Sequence, residues 1–233
     1  MKILENGIAV IEGDSHISKW VEQSGRLDHD QNMLPRILPL IKPGDVVVDA
    51  GAFIGDHTIA YSRAVGPEGE VLAFEPNPKA YECLLHNMKG LDNVHCHPMG
   101  LGRSKSSQMV QEAVNAGASY LSNAEEGGSV IVFTITLDEV ISRLQLSRVN
   151  FIKIDCEGFE VDILAGAEQT IKTDKPVMVI EINPGALKRR EQSPADIFRF
   201  LTDHGYAYSN IYPGQPMEGN QYDILCLPKG FVI

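Results

Sequence analysis

The chain has 233 residues, 43% of them hydrophobic, and a formal net charge of −11 with a pI near 5.0. That length allows one domain with a full core, whereas two domains would leave both halves thin. The acidic balance disfavours nucleic acid or another polyanion as partner, because binding phosphates needs a basic face, and it leaves small or neutral substrates in play.

No stretch reaches the length of a membrane span. Met1-Lys-Ile-Leu-Glu5 has charge where a signal peptide is apolar, so a cytoplasmic protein without a membrane partner is expected. Four cysteines, Cys83, Cys96, Cys156 and Cys226, lack paired metal spacing and read as reduced core thiols.

Residues 1–42 read as a cap that helps to select a substrate, with Trp20 and the polar run Asp28-His29-Asp30-Gln31 inside it. The main domain, 43–233, opens on Val46-Val-Val48, a strand buried on both faces that ends in Asp49. Gly51 and Gly55 then form a tight turn before a helix over Thr58–Ala64. The spacing Gly51-x-x-x-Gly55 differs from the Gly-x-Gly-x-x-Gly that cradles a pyrophosphate. A carboxylate at the strand tip repels phosphate and attracts an ammonium. S-adenosylmethionine, which has a cationic amino acid end, a ribose and no phosphate, suits that tip.

Glu70–Glu75 is the second strand. Glu75 lies at its tip, where an acid accepts hydrogen bonds from ribose hydroxyls. Pro78–Lys89 is an amphipathic helix with Pro78 suited to its first turn. Val94–Met99 is the third strand, followed by Gly100-Leu-Gly-Arg103. An insertion over 104–136 follows, in which Gln108–Ala113 and Val130–Ile135 pair as a hairpin. Its tip, Asn115–Ser122, suits either a lid over a pocket or a plain surface loop. Thr136-Leu-Asp-Glu139 has the capping-box pattern of a helix that runs to Leu144, with no chemical role for either end residue.

Val149–Asp155 is the fourth strand, expected between the first and the fifth, and Glu157–Lys172 a single helix. Lys153 and Asp155 share one face of the strand, and a lysine there needs a partner, which Asp49, Asp155 or Glu181 can supply. Asp155 and Glu157 stand at the strand's carboxyl end, where doubly wound sheets bind ligands. As a first-turn charge Glu160 has a structural role, and the same reading competes for Glu157. Pro176–Ile182 is the fifth strand and Ser193–His204 a helix. Tyr206–Tyr212 and Tyr222–Leu227 close the chain as an antiparallel pair.

These motifs, Asp49-Ala-Gly-Ala-Phe-Ile-Gly55, Phe74-Glu-Pro-Asn-Pro78, Thr136-Leu-Asp138 and Ile152-Lys-Ile-Asp-Cys-Glu-Gly-Phe-Glu160, resemble the FkbM-type family of S-adenosylmethionine-dependent methyltransferases. The resemblance covers about Pro43 to Asn183. It implies an α/β fold of the class I methyltransferase type: a doubly wound, Rossmann-like sheet of seven strands whose last strand is antiparallel. It also implies that Asp49, Gly51 and Gly55 surround the methionine part of the cofactor and that Glu75 meets its ribose. Ala52, Thr58, Pro76, Gly100, Leu101 and Asp155 complete the expected cofactor set. Asp56-His57 departs from the family pattern, so no role for His57 is inherited.

The activity expected is O-methylation of a hydroxyl on a small molecule or sugar. Methyl transfer needs alignment of the nucleophile and removal of its proton. Asp155, Glu157 and His57 are the candidate bases, with Lys153 beside them. No metal is required by the spacing, although Asp155, Glu157 and Glu181 are hard oxygen ligands of the kind that suit Mg²⁺. N-methylation of an amide or amine is the second reading, and a non-catalytic adenosyl-binding module a remoter one. A nicotinamide-dependent oxidoreductase is disfavoured by the glycine spacing.

Overall fold

A computed structural model describes residues 1–28, 30–111, 116–123 and 130–231. The N-terminal segment forms an antiparallel pair, β1 (Lys2–Ile3) and β2 (Ala9–Val10), then α1 (Ile17–Ser24), α2 (Leu34–Ile37) and a 3-10 turn at Leu38–Leu40. The alternation expected of the main domain follows: β3 (Val46–Ala50), α3 (Thr58–Val65), β4 (Glu70–Phe74), α4 (Pro78–Asn87) and β5 (Val94–His97). Next come β6 (Gly100–Leu101), β7 (Ser106–Gln111), β8 (Tyr120–Asn123), β9 (Val130–Ile135), α5 (Leu137–Leu144) and β10 (Phe151–Ile154). The chain continues through α6 (Glu160–Gly166), α7 (Glu168–Asp174), β11 (Val177–Ile182), α8 (Pro184–Arg189), α9 (Pro194–Asp203), β12 (Tyr206–Asn210) and β13 (Tyr222–Pro228).

Seven of these strands make one sheet in the order β12-β13-β11-β10-β3-β4-β5. From β11 to β5 every neighbouring pair is parallel, and β13 runs antiparallel to both β11 and β12. The strand order therefore reverses at β3, with β10 on one side and β4 on the other, which opens a crevice at the carboxyl ends of these strands.

Residue parity assigns the two faces. Val48, Ala50, Ile152, Ile154, Ile180 and Ile182 join Ile163, Leu164, Ile171, Ile197 and Leu201 in one core, which α6, α7 and α9 cover. Val47, Phe151, Val177 and Val179 face the other way and meet Leu34, Ile37, Tyr61 and Val65 from α2 and α3. Full burial of each such side chain contributes about 1.5–3 kcal/mol, so the sheet is sandwiched on both faces. Asp49 and Lys153 share the parity of the second face, and they stand directly opposite each other in the β3–β10 register.

Two expectations require correction. The insertion is larger than a hairpin: β7 and β9 do pair antiparallel, but β6 and β8 flank them in a four-stranded sheet ordered β6-β9-β7-β8. Tyr120–Ser122, read as loop tip, lies in β8 because it continues the ladder against Met109–Gln111. Ala113, Asn115 and, in the N-terminal segment, His29 lie outside the described residues.

The single helix read over Glu157–Lys172 is two, α6 and α7. Its break falls where a Cβ on Gly166 would stand 2.0 Å from the carbonyl oxygen of Gly102, so the helix end lies against the start of the insertion. Glu157 precedes α6 in a left-handed turn with φ +50°, outside the helix. The capping box is half made: Thr136 accepts from the Glu139 amide at 3.1 Å, while the Glu139 carboxylate binds Lys105 and Arg143. Asp138 instead joins α5 to α7 by accepting from the amides of Gln169 and Thr170.

Candidate active site

The turn from β3 into α3 bends back because two amides, Gly51 and Ala52, both donate to the Phe74 carbonyl at 3.0 Å. Gly51 has φ +84°, and a Cβ there would sit 1.9 Å from the backbone oxygen of Asp155. Only glycine lets the β3 exit touch the β10 exit. Gly51→Ala should therefore force the two strand exits apart and cost at least about 2 kcal/mol, a mechanism of the severe backbone kind. Thermal unfolding measures this, and a midpoint within one degree of wild type would refute it.

Phe53, at φ +49°, donates its amide to Glu75 Oε2 at 2.9 Å, and the Asn77 amide donates to Oε1 at 2.7 Å. One carboxyl at the tip of β4 thus fixes both the glycine turn and the start of α4. Above it lies a cavity of about 490 Å³, within the range of roughly 300–1,000 Å³ typical of small-molecule sites. Gly51, Ala52, Glu75, Pro76, Gly100 and Leu101 line it at one end, with the aromatic faces of Phe53 and Phe74. Lys153, Asp155, Glu157 and His57 line it as well.

Three residues expected at the cofactor, Asp49, Gly55 and Thr58, are not in the lining. Asp49 is 1% exposed and accepts from Thr58 Oγ1 at 2.6 Å, so this pair stiffens the turn from behind. A Cβ on Gly55 would meet the Met88 methyl at 2.7 Å, so its smallness serves packing against α4.

At the far end stands a column of charge. Lys153 is 3% exposed and donates to Asp155 Oδ2 at 2.7 Å. Of the partners considered from sequence, it takes Asp155. Burial pushes the Asp155 carboxyl up, but the Lys153 ammonium, through its charge and its hydrogen bond, together with His57, holds it below the usual carboxylate value. Burial also pushes Asp56, Glu75 and Glu157 up to about 7. Glu181, on β11, is raised well above its ordinary value by burial and then by Asp155. Glu157 accepts from Asn183 Nδ2 at 3.3 Å. Glu160, fully buried, accepts the amides of Cys156 and Gly158 and so holds the β10–α6 turn in place.

Several lining residues were not singled out from sequence. Asp56 follows Gly55 directly, just before α3. Asp223 and Gln221 belong to the last hairpin. Asp223 stands opposite Glu181 in the β11–β13 register, a pairing that strand alternation alone does not reveal. His57 lies inside the cavity, 8% exposed, with its ring 4.0 Å from the Asp30 carboxylate.

Asp56, Glu75, Glu157, Glu160 and Asp223 each rise to about 7 from ordinary values of 3.8 or 4.5. Between about pH 4 and pH 7 the folded chain holds protons that the unfolded chain releases, so stability falls as pH rises through that window. The lowered pKa of His97 works the other way below its ordinary 6.5, but it is one group against five. The thermal midpoint should be higher at pH 5 than at pH 8 by roughly 3 °C or more, which is about 1 kcal/mol at this chain length. A midpoint that is flat or rises over that range would count against this charge arrangement.

S-adenosylmethionine fits the cavity. The acids present suit a ligand that is a net cation, Glu75 keeps free lone pairs for a ribose, and the aromatic and glycine walls suit an adenine. At the Glu75 end no lysine or arginine among the described residues lines the cavity for a phosphate.

The methyltransferase FkbM domain family matches residues 49–208. The chain belongs to that family. It is a methyltransferase domain whose cofactor is S-adenosylmethionine. It is similar to the hexuronic acid methyltransferase AglP of Haloferax volcanii, at 27% identity over 175 residues, covering 75% of this chain and 68% of that protein. It is also similar to the 2-O-methyltransferase NoeI of Sinorhizobium fredii, at 24% identity over 149 residues, covering 57% of this chain and 61% of that protein. Among solved structures it resembles an FkbM methyltransferase from Methylobacillus flagellatus with a TM-score of 0.54 and 17% identity. That likeness covers 78% of this chain and 43% of the other, and it supports the class I methyltransferase fold. The chain thus spans about two thirds of these two relatives.

Proposed function

We propose that this chain transfers a methyl group from S-adenosylmethionine to a hydroxyl oxygen of a sugar or similar small molecule, with Glu157 as general base. The observation that supports this most is the split between the two carboxyls at the β10 exit. Lys153 keeps Asp155 ionised and therefore weakly basic, whereas Glu157 is raised to about 7, where a base is best matched to neutral pH. His57 is the second candidate, and its place inside the cavity keeps it available as a relay to Asp30. Likeness to AglP and NoeI favours a sugar oxygen over an amide nitrogen.

Bound at Glu75 and the Gly51 turn, the cofactor supplies an electrophilic methyl on a sulfonium. Glu75 holds the ribose end, Gly51 and Gly100 admit close approach, and Leu101 and Phe74 exclude water. With the cofactor bound, Asp155 would orient the acceptor hydroxyl and a Glu157 carboxylate oxygen would take its proton, the methyl carbon exchanging its bond to sulfur for one to the acceptor oxygen so that S-adenosylhomocysteine leaves. The N-terminal segment and the insertion roof the cavity through His16, Ile17, Ala116 and Tyr120, and they select the acceptor. Among the described residues no helix is long and apolar enough to cross a membrane. The four free thiols and the acidic surface support a cytoplasmic setting without nucleic acid.

The test is titration calorimetry with S-adenosylmethionine, followed by methyl-labelled transfer to a panel of sugars. Glu75→Ala should weaken cofactor binding by about 10- to 100-fold, the loss of a charge-assisted hydrogen bond. Unchanged affinity, or a label found on nitrogen, would overturn the assignment.

A further inference from the structure

The acceptor half of the cavity is far more acidic than a simple hydroxyl acceptor requires. Neighbouring strands lie about 4.8 Å apart. Glu75 stands at the tip of β4, and β11 and β13 stand one and two strands beyond the β10 exit on the side away from it. Glu181 and Asp223 occupy those two strands as a cross-strand pair, and both line the cavity. Asp30 approaches from the N-terminal segment.

The cations nearby are already engaged. Lys153 is held by Asp155 at 2.7 Å. Arg189 lies exposed at the rim, stacked 4.3 Å over the Tyr120 ring and donating to the Glu157 carbonyl. The His57 ring faces Asp30. Glu181 is 5% exposed; its Oε1 accepts from Gln221, its carboxyl stands within hydrogen-bond reach of Asp155, and its buried Oε2 has no donor from a neighbouring cation or amide among the described residues. Asp223 is pushed up to about 7, by burial first and then by Asp155, a carboxyl that a bound cation would ionise.

Resting on the O-methylation reading, we propose that the acceptor is a polyhydroxylated molecule bearing a protonated amino group, which Glu181 and Asp223 bind beside the hydroxyl that is methylated. An ammonium offers three donors in a compact tetrahedral head, which suits two carboxyls and the open Glu181 Oε2. A uronate would bring a further carboxylate against this set, and like charges in an enclosed site discriminate strongly. A divalent ion is a poorer occupant, because among the described residues no group of three or more such side chains is placed to hold one.

Calorimetry on the full chain saturated with S-adenosylhomocysteine, with EDTA present, decides the matter. Glucosamine, N-acetylglucosamine and glucuronate are the probes. Glucosamine should bind about 10-fold or more tightly than its N-acetyl form, and glucuronate weakest of the three. Glu181→Gln and Asp223→Asn should each erase most of that preference while S-adenosylhomocysteine affinity shows that the fold is intact. Equal affinities, a preference for glucuronate, or binding that needs added Mg²⁺ would overturn the proposal. Labelled methyl transfer separates the two readings. Methyl on an oxygen of the uronate or N-acetyl probe in preference to the amine keeps O-methylation and sinks amine recognition. Methyl on the glucosamine nitrogen does the reverse.

Discussion

Glu157→Gln should lower the methyl-transfer rate by about 10²–10⁴-fold, because an amide keeps the shape of the side chain but cannot take a proton. Cofactor affinity should hardly move, since the role proposed for Glu157 is toward the acceptor. The wild-type rate should rise with pH through an apparent pKa of about 7, following the raised Glu157 carboxyl, and the variant should lose that rise. Asp155→Asn affects the site differently, because it also removes the partner of Lys153. Turnover then falls together with stability. Single-turnover rates and thermal midpoints on both variants separate these effects. A Glu157→Gln enzyme running at nearly the wild-type rate would shift the base to His57 or to water.

Lys153→Met is expected to be the most damaging change to the fold. Among the described residues it removes the one buried lysine, which faces buried Asp49 and Asp56 and pairs with the half-buried Asp155, and breaking such a pair from its buried side costs up to about 3–5 kcal/mol. At this chain length that is a fall of roughly 10 °C in thermal midpoint. The loss should be smaller at pH 5 than at pH 8, because protonation neutralises the stranded carboxyls. Adding Asp155→Asn to Lys153→Met should recover part of it, since the amide leaves no unpaired charge. If the double variant were less stable than the single one by the full cost of Asp155→Asn alone, the pair would not be coupled.

Much of this was legible in the sequence, for identifiable reasons. The parallel strands β3, β4, β10 and β11 are short runs rich in Val and Ile that end in an acid or a glycine turn, so pattern and tip chemistry agree. The β12–β13 pair announced itself by alternation. Tertiary contacts hid the rest. The break between α6 and α7 depends on Gly166 lying against Gly102, which no local propensity records. The four-stranded insertion depends on β6 and β8, whose 2 and 4 residues are too short for a periodic signal. At the site, Lys153 could be placed from strand parity alone. Asp223 could not, because its role depends on β13 inserting between β11 and β12 rather than extending the edge. Asp49 and Thr58 bond to each other through Asp49 Oδ2, a contact that residue type alone does not show, while Asp49 Oδ1 is buried with no hydrogen-bond partner among the described residues.

Asp14 makes a connection across the roof of the cavity. Its Oδ2 accepts the Ser18 amide at 2.8 Å at the start of α1, and its Oδ1 accepts the Ala116 amide at 2.9 Å from the insertion. Two segments separated by about a hundred positions in the chain therefore meet above the acceptor through one carboxylate. Parting them at this point costs one charge-assisted hydrogen bond, about 1.5–3 kcal/mol, far below the cost of disturbing the sheet beneath. On the scale of binding free energies that corresponds to a dissociation constant of roughly 10–100 mM, weaker than most ligands. If the acceptor leaves by parting this contact, an enzyme lacking the Asp14 carboxylate would hold its cofactor as before but release its acceptor sooner.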